Sequence, residues 1–180
     1  MPRSLEIMVA SAILLALLPL LVLVSICIVF DDGFPILYRQ KRVGFRNSEF
    51  ELLKFRSMRR GADKHGFQTH EKDGRITRIG RITRKLSIDE LPQLINVLKG
   101  DMSLVGPRPN VPAQREFYSA NEWNKRHLVR PGITGLAQIS GRSDIDEKTR
   151  TKLDLEYVDT KSLATDIEIV LKTIKVITRG

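Results

Sequence analysis

From Ile7 to Phe30 the chain runs 24 residues without a charged side chain. As one helix this stretch would reach roughly 36 Å, enough to enter or cross a bilayer. A secretory signal would carry a shorter apolar core and a small-residue cleavage site. Here Asp31 and Asp32 follow the run directly, with no A-x-A pattern before them, so the segment reads as a retained anchor. Pro19 lies near its middle, where a proline removes a helical hydrogen bond and clashes with the preceding turn, so a bend is expected. Two forms follow: a kinked helix that crosses, or a helix–break–helix that enters and leaves one leaflet. Physics alone favours the first, because transmembrane helices tolerate proline.

The net charge of +9 lies after the anchor. Arg39, Lys41, Arg42 and Arg46 fall within about 20 residues of the apolar run, which by the positive-inside rule puts the remaining chain in the cytoplasm. A basic surface also suits anionic head groups. The competing reading, a soluble basic protein bound to nucleic acid through phosphates, leaves residues 7–30 unexplained, so no nucleic-acid partner is expected. Cys27, the sole cysteine, lies inside the apolar run. That excludes a disulfide framework and a thiolate metal site. A chain of 180 residues holds one modest domain besides the anchor, with boundaries at 1–30 and 31–180.

Residues 36–43 and 50–56 are rich in β-branched, aromatic and long basic side chains, and Phe45-Arg46-Asn47-Ser48 between them resembles a turn, so a short β-hairpin is expected. Residues 59–74, with Gly61, Gly66 and Gly74, read as a loop. Between Arg75 and Arg84 an Arg recurs at every third position, too briefly for a solenoid repeat. Leu91, Leu94, Ile95 and Leu98 follow helical spacing, and Gly100 is a suitable stop. Asp101–Val105 reads as extended, a second helix is expected from about Pro112 to Leu128, and Gly132, Gly135 and Gly141 punctuate an irregular stretch. Near the C-terminus Ile167, Val170, Leu171, Ile174 and Ile177 share one helical face. That face can pack in the core or lie on a membrane, and core is the blander reading.

The window Arg84-Lys85-Leu86-Ser87-Ile88-Asp89-Glu90-Leu91-Pro92 carries the most chemistry. Ser87 and Glu90 match a capping box, so one reading is that these polar residues merely start a helix. Pro92 would then fall at the fifth helical position, whereas a start at Asp89 or later keeps it harmless in the first turn. Either way Asp89 and Glu90 lie at a helix start, a setting that binds phosphate and helps keep a carboxylate ionised. An ionised Asp can attack phosphorus, and attack on a diphosphate needs its charge screened by Mg²⁺ and by Arg or Lys. Neighbouring residues on a helix point in different directions, so the pair suits divided roles: one attacks while the other holds metal or handles a proton. Arg84 and Arg108 are the candidate clamps. Arg130 and Arg142 can contact a nucleotide or merely solvate a loop.

Four strings taken together resemble the bacterial sugar transferase family, the monotopic phosphoglycosyl transferases. They are Lys54-Phe-Arg-Ser-Met58, Ser87-Ile-Asp-Glu-Leu-Pro-Gln93, Asn96 to Pro109 around Gly106-Pro-Arg-Pro109, and Val129-Arg-Pro-Gly-Ile-Thr-Gly-Leu-Ala-Gln138. The resemblance implies an α+β, mainly helical fold with a small β-hairpin, amphipathic helices at the membrane interface and a re-entrant N-terminal helix broken at Pro19. The family commonly has Ser before that proline, where this chain has Leu18. The catalytic domain would face the cytoplasm from the bacterial inner membrane, and the sequence corresponds to the catalytic unit of larger relatives.

The resemblance further implies a ping-pong reaction. Asp89 would attack the β-phosphate of a UDP-sugar and release UMP, and polyprenol phosphate would then accept the sugar phosphate, starting a membrane-linked glycan. Glu90 would serve Mg²⁺, with Asp89, or the acceptor phosphate. Arg84, Arg108 and Arg56 match basic positions near the phosphates, and downstream glycosyltransferases are possible partners. The alternative is a non-catalytic, membrane-anchored basic binding module. The sugar is not readable, although 61–74 or 110–124 could select it, and His65, His70 and His127 show no metal spacing.

Overall fold

The computed structural model describes residues 1–62, 73–141 and 145–179. The apolar run forms most of α1 (Arg3–Asp32), and helical structure continues through Pro19. The expected break is therefore absent as a separation into two helices: no non-helical residue divides the run. Pro19 lies on the exposed side, where the lost hydrogen bond interrupts no packing.

Both ends of α1 are tied to the rest of the chain. At the start, Arg3 donates to the Met102 carbonyl at 3.3 Å and Ser103 Oγ donates to the buried Glu6 carboxylate. At the far end, Asp31 Oδ2 accepts the Ile79 N–H at 2.8 Å and Arg56 donates to the Asp32 and Gly33 carbonyls at 2.9 and 2.6 Å. Between these ties Ala10 enters the main core, and Val24 and Ile28 pack on Phe55. Leu15, Leu18, Val22, Leu23 and Ile26 face outward. The helix thus has an inner face that packs and an outer face of bare aliphatic side chains, and it is long and apolar enough to cross a membrane.

The expected hairpin is present. β1 (Leu37–Val43) pairs antiparallel with β2 (Glu49–Phe55), with Leu37 opposite Phe55 and Val43 opposite Glu49. The turn holds Arg46 and Asn47 at positive φ. Asn96, completely buried, pins the hairpin to the next layer: its Oδ1 accepts the Leu53 N–H at 3.0 Å, and its Nδ2 donates to the Glu51 carbonyl at 2.7 Å. One side chain so satisfies backbone groups of an edge strand that would otherwise be unpaired.

The Arg-rich stretch forms α2 (Arg78–Lys85), which the three-residue spacing did not announce. Thr77 caps it by accepting the Gly80 N–H at 2.9 Å. Gly80 lets α2 lie directly on the chain at Ser57, since a Cβ there would stand 2.0 Å from the Ser57 carbonyl oxygen. α3 (Gln93–Lys99) ends at Gly100 in the left-handed region, as the spacing predicts. β3 (Ser103–Val105) then pairs in parallel with β4 (Gly132–Thr134), a strand hidden in the stretch expected to be irregular. Gly132 is needed there because a Cβ would sit 2.1 Å from the Gly106 nitrogen.

The helix expected over 112–128 is broken. A 3₁₀ segment spans Pro112–Phe117, Tyr118 is extended, and α4 (Ala120–Arg126) starts anew. The reason is a capping box at Ser119 and Glu122, which satisfies both backbone N–H groups reciprocally. α5 (Leu136–Gly141), α6 (Glu147–Thr160) and α7 (Leu163–Arg179) complete the chain.

The core reading of the C-terminal helix holds for Val170, which packs against the main core, but not for the rest of its described face, and the Ile177 side chain lies outside the described residues. Ile167, Leu171 and Ile174 are 48%, 62% and 56% exposed. The buried side of α7 is instead Asp166 and Ile169. The Tyr157 hydroxyl lies 2.7 Å from Asp166 Oδ1 and 3.1 Å from the Val105 carbonyl, so a polar anchor orients α7 and turns its aliphatic stripe outward.

Candidate active site

Three short elements converge on Asp89 and Glu90. α2 ends near Arg84, Ser87 turns the chain at φ 55°, and Ile88–Glu90 form a single 3₁₀ turn before α3 begins. β2 brings Lys54 from below. The loop after β3 brings Arg108 between Pro107 and Pro109.

Glu90 is the fixed member of the pair. Its Oε1 accepts from Lys54 Nζ at 2.7 Å and from Arg108 Nη2 at 2.7 Å. Burial pushes the Glu90 carboxyl up, but Arg108 and Lys54 outweigh it and hold the group well below the usual carboxylate range. Asp89 goes the other way. It is 7% exposed, and burial pushes its carboxyl up to about 6, against the opposing pull of Lys54. Glu90 beside it raises the value further, while Arg84 and Arg108 lower it. Among the described residues no hydrogen bond ends on the Asp89 carboxylate.

Two adjacent carboxyls are thereby driven apart, one locked as an anion and one left unpartnered and titrating near neutrality, an arrangement that assigns different work to each. Titrating at about 6, Asp89 is mostly ionised at neutral pH, but the helix start is not what keeps it so. A three-residue 3₁₀ turn has little dipole, and burial outweighs it. The surrounding cations carry that task instead.

The capping reading of Ser87 also fails. Its backbone is left-handed, its side chain makes no cap hydrogen bond, and Glu90 turns to Lys54 and Arg108. A genuine cap lost to Ala costs about 1 kcal/mol. Ser87→Ala is therefore expected to change unfolding stability by less than about 0.5 kcal/mol in denaturant titrations, and a loss of a full cap's worth would restore the capping reading.

Of the other basic candidates, Arg84 and Arg108 reach this cluster electrostatically, but Arg56 and Arg130 are engaged elsewhere. Arg56, 5% exposed, binds the end of α1. Arg130 donates from Nε to the Gly100 carbonyl at 2.9 Å, with its guanidinium 5.4 Å from the centre of the Phe45 ring. Arg142, His65, His70 and most of the 61–74 loop lie outside the described residues. Lys54 is the residue that sequence reasoning missed. It stood in the same string as Arg56, and nothing in the strand's own pattern pointed it at the acidic pair 36 positions away.

Among the described residues no three acidic, His or Cys side chains gather as a metal cage. Magnesium, however, uses only one or two carboxylates beside substrate phosphates and water. Asp89 and the second oxygen of Glu90 have no hydrogen-bond partner among the described residues, so the pair fits such an ion.

Beside the pair, an apolar groove of about 450 Å³ opens between α1, the hairpin and α3. Leu14, Leu21, Ile36, Phe55, Pro92 and Ile95 line it together with one charged residue, Arg39.

The profile of the family described as Bacterial sugar transferase matches residues 1–180. An undecaprenyl-phosphate glucose phosphotransferase of Komagataeibacter xylinus is 46% identical over 185 residues, covering 96% of this chain and 35% of that protein. The exopolysaccharide production protein ExoY of Sinorhizobium fredii is 43% identical over 189 residues, covering 96% of this chain and 83% of its own. A UDP-N-acetylgalactosamine-undecaprenyl-phosphate N-acetylgalactosaminephosphotransferase of Aeromonas hydrophila is 41% identical over 187 residues, covering 99% of this chain and 44% of that protein. The chain thus spans about a third to under a half of two of these relatives and most of the third.

Proposed function

The chain belongs to the bacterial sugar transferase family, and on that premise we propose that it moves a sugar 1-phosphate from a UDP-sugar to a polyprenol phosphate through a covalent intermediate on Asp89. The observation that carries the reading is the split pair: a buried, unpartnered Asp89 titrating at about 6 beside a Glu90 held ionised by Lys54 and Arg108.

A carboxylate oxygen of Asp89 attacks the β-phosphorus of the UDP-sugar. The bond from that phosphorus to the bridging oxygen breaks, and UMP leaves with the bridging oxygen. The sugar phosphate is then an acyl phosphate on Asp89. An oxygen of polyprenol phosphate attacks the same phosphorus, the carboxylate departs, and a polyprenol diphosphate sugar is formed. Lys54, Arg84 and Arg108 supply the positive field in which an anion approaches a diphosphate. Glu90 keeps Lys54 and Arg108 in place and, with Asp89, would hold Mg²⁺. Such an ion neutralises charge on the diphosphate when bound.

The lipid acceptor accords with two features. The apolar groove has Pro92, two residues from Glu90, in its lining and offers a path for an isoprenoid chain whose phosphate lies at the pair. The outward stripes of α1 and α7 suit a domain resting on one leaflet. Because both ends of α1 are bonded to the same domain, α1 is read as dipping into the bilayer without crossing, with the basic domain on the cytoplasmic face. In a Cys27→Ser background, Ser4→Cys and Arg46→Cys are expected to react alike with an impermeant maleimide, in inside-out vesicles but not in intact spheroplasts. Labelling of the two from opposite sides would establish a crossing helix.

The relatives' names specify different sugars, so the hexose is left open. UMP release from a panel of UDP-sugars with Mg²⁺ tests the reaction class. A chain that binds membranes but frees UMP from none of them is the anchored binding module instead.

A further inference from the structure

Behind the Arg108 loop lies a buried polar junction that the proposed reaction does not use. Arg126, at the end of α4, is 3% exposed. Its Nε donates to Asp154 Oδ2 on α6 at 2.9 Å, its Nη2 to the main-chain carbonyl of Arg108 at 2.5 Å, and its Nη1 to Oδ1 of Asn110. From the other side, Arg42 Nη1 donates to the Pro109 carbonyl at 2.7 Å, and the Val43 N–H donates to the Asn110 carbonyl at 2.9 Å. The main chain from 108 to 110 is thus gripped on both flanks, while the Arg108 side chain is left to reach Glu90.

A buried ion pair contributes little net stability, because two desolvated charges cost about what their attraction returns. An apolar pair between α4 and α6 would pack as well. It could not hold a carbonyl oxygen, however, and that is where the guanidinium spends its Nη2. Arginine suits this because its donors lie in one rigid plane, so one group can meet a carboxylate, a carbonyl and an amide together. Lysine offers a single point charge.

We propose that Arg126, oriented by Asp154, is a positioning residue for the transfer reaction: it fixes the main chain at Arg108 so that the Arg108 guanidinium meets Glu90. The inference rests on the reaction proposed above, and its test is built to fail separately.

The full chain in lipid nanodiscs is compared as wild type, Arg126→Lys, Asp154→Asn and Lys125→Ala. The last removes the exposed Lys125–Asp159 pair at 2.7 Å, which joins the same two helices without touching the loop. Amide exchange in the peptide spanning 106–111 is expected to quicken in Arg126→Lys and Asp154→Asn and to stay unchanged in Lys125→Ala. UMP-release rates are then read in a double-mutant cycle with Arg108→Ala. Arg126→Lys is expected to slow release by about tenfold or more when Arg108 is present, since small misplacements of a charge clamp are costly. In the Arg108→Ala background it should slow release less than about twofold, since coupled residues are non-additive.

A purely structural role loses the same factor in both backgrounds, and that result, or unchanged exchange at 106–111, overturns the proposal. If Arg126→Lys does not fold, Asp154→Asn takes its place in the cycle. A wild type that releases no UMP overturns the reaction class, while the exchange data still decide the clamp.

Discussion

Asp89→Asn is expected to end UMP release and, at the same time, to make the folded protein more stable. The first effect follows from removing the attacking oxygen, which should lower the rate by about a thousandfold or more, as loss of a nucleophile does elsewhere. Incubation with UDP-sugar should leave the variant's intact mass unchanged, where wild type gains a sugar phosphate. The second effect follows from burial. The Asp89 carboxyl titrates at about 6 in the fold against an ordinary aspartate value of 3.8, so the folded chain holds this proton to higher pH than the unfolded chain does. Its contribution to stability is fully present below pH 3.8 and is lost as pH rises through about 6.

At neutral pH the ionised wild type therefore carries a penalty that Asn does not, on the order of 2–3 kcal/mol at 1.36 kcal/mol per pKa unit. Thermal melts at pH 7.5 should place the variant above wild type, with the gap closing toward pH 4. A variant that still takes up phosphosugar removes Asp89 from the centre of the chemistry, and one less stable than wild type at pH 7.5 overturns the burial penalty.

Stability sacrificed at a functional site also explains which parts of this chain could be read in advance. The apolar run, the hairpin and the start of α3 follow from local pattern: Leu91, Leu94, Ile95 and Leu98 are spaced for one helical face, and Gly100 takes the φ of 94° that ends it. The β3–β4 pair is different. Two three-residue strands some 30 positions apart carry no period of their own, and only the close approach of Gly106 and Gly132 brings them together. α2 was hidden because its apolar residues are few, and its seat on Ser57 depends on one glycine. α7 had the right period but an unexpected orientation, because the buried Asp166–Tyr157 contact decides which face turns inward.

The same division holds in the site. Asp89, Glu90 and Arg108 are recognisable from their strings, but contact between Lys54 and Glu90 spans 36 positions and is a product of packing. Arg56 shows the reverse: a plausible phosphate ligand by sequence, it is spent on the carbonyls that end α1. Two basic residues in one string thus part company because the strand ends between them, at Phe55.

Lys54→Met should separate the tuning of Asp89 from its chemistry. Burial is the largest influence on Asp89 and Lys54 is the largest opposing one. With that positive charge gone the carboxylate is less favoured, so its titration moves above 6 and a smaller fraction is ionised at pH 7. For a shift of about one unit, UMP release is expected to fall by about tenfold at pH 5 but by only about twofold at pH 7, where the displaced carboxyl is still half ionised. The loss should be recovered in part toward pH 8.5, where Asp89 ionises again. The alkaline side carries a second sign. Burial and Arg108 lower the Lys54 ammonium from its usual 10.5, against the pull of Glu90, so wild-type activity should decline as that proton is lost. In Lys54→Met the decline disappears, because there is no proton left to lose. Rates measured from pH 5 to 10 at fixed UDP-sugar and Mg²⁺ would therefore shift on the acid side and flatten on the alkaline side. If the methionine variant instead keeps the wild-type acid limb and is merely slower at every pH, Lys54 supports Glu90 alone and Asp89 owes its ionisation to Arg84 and Arg108.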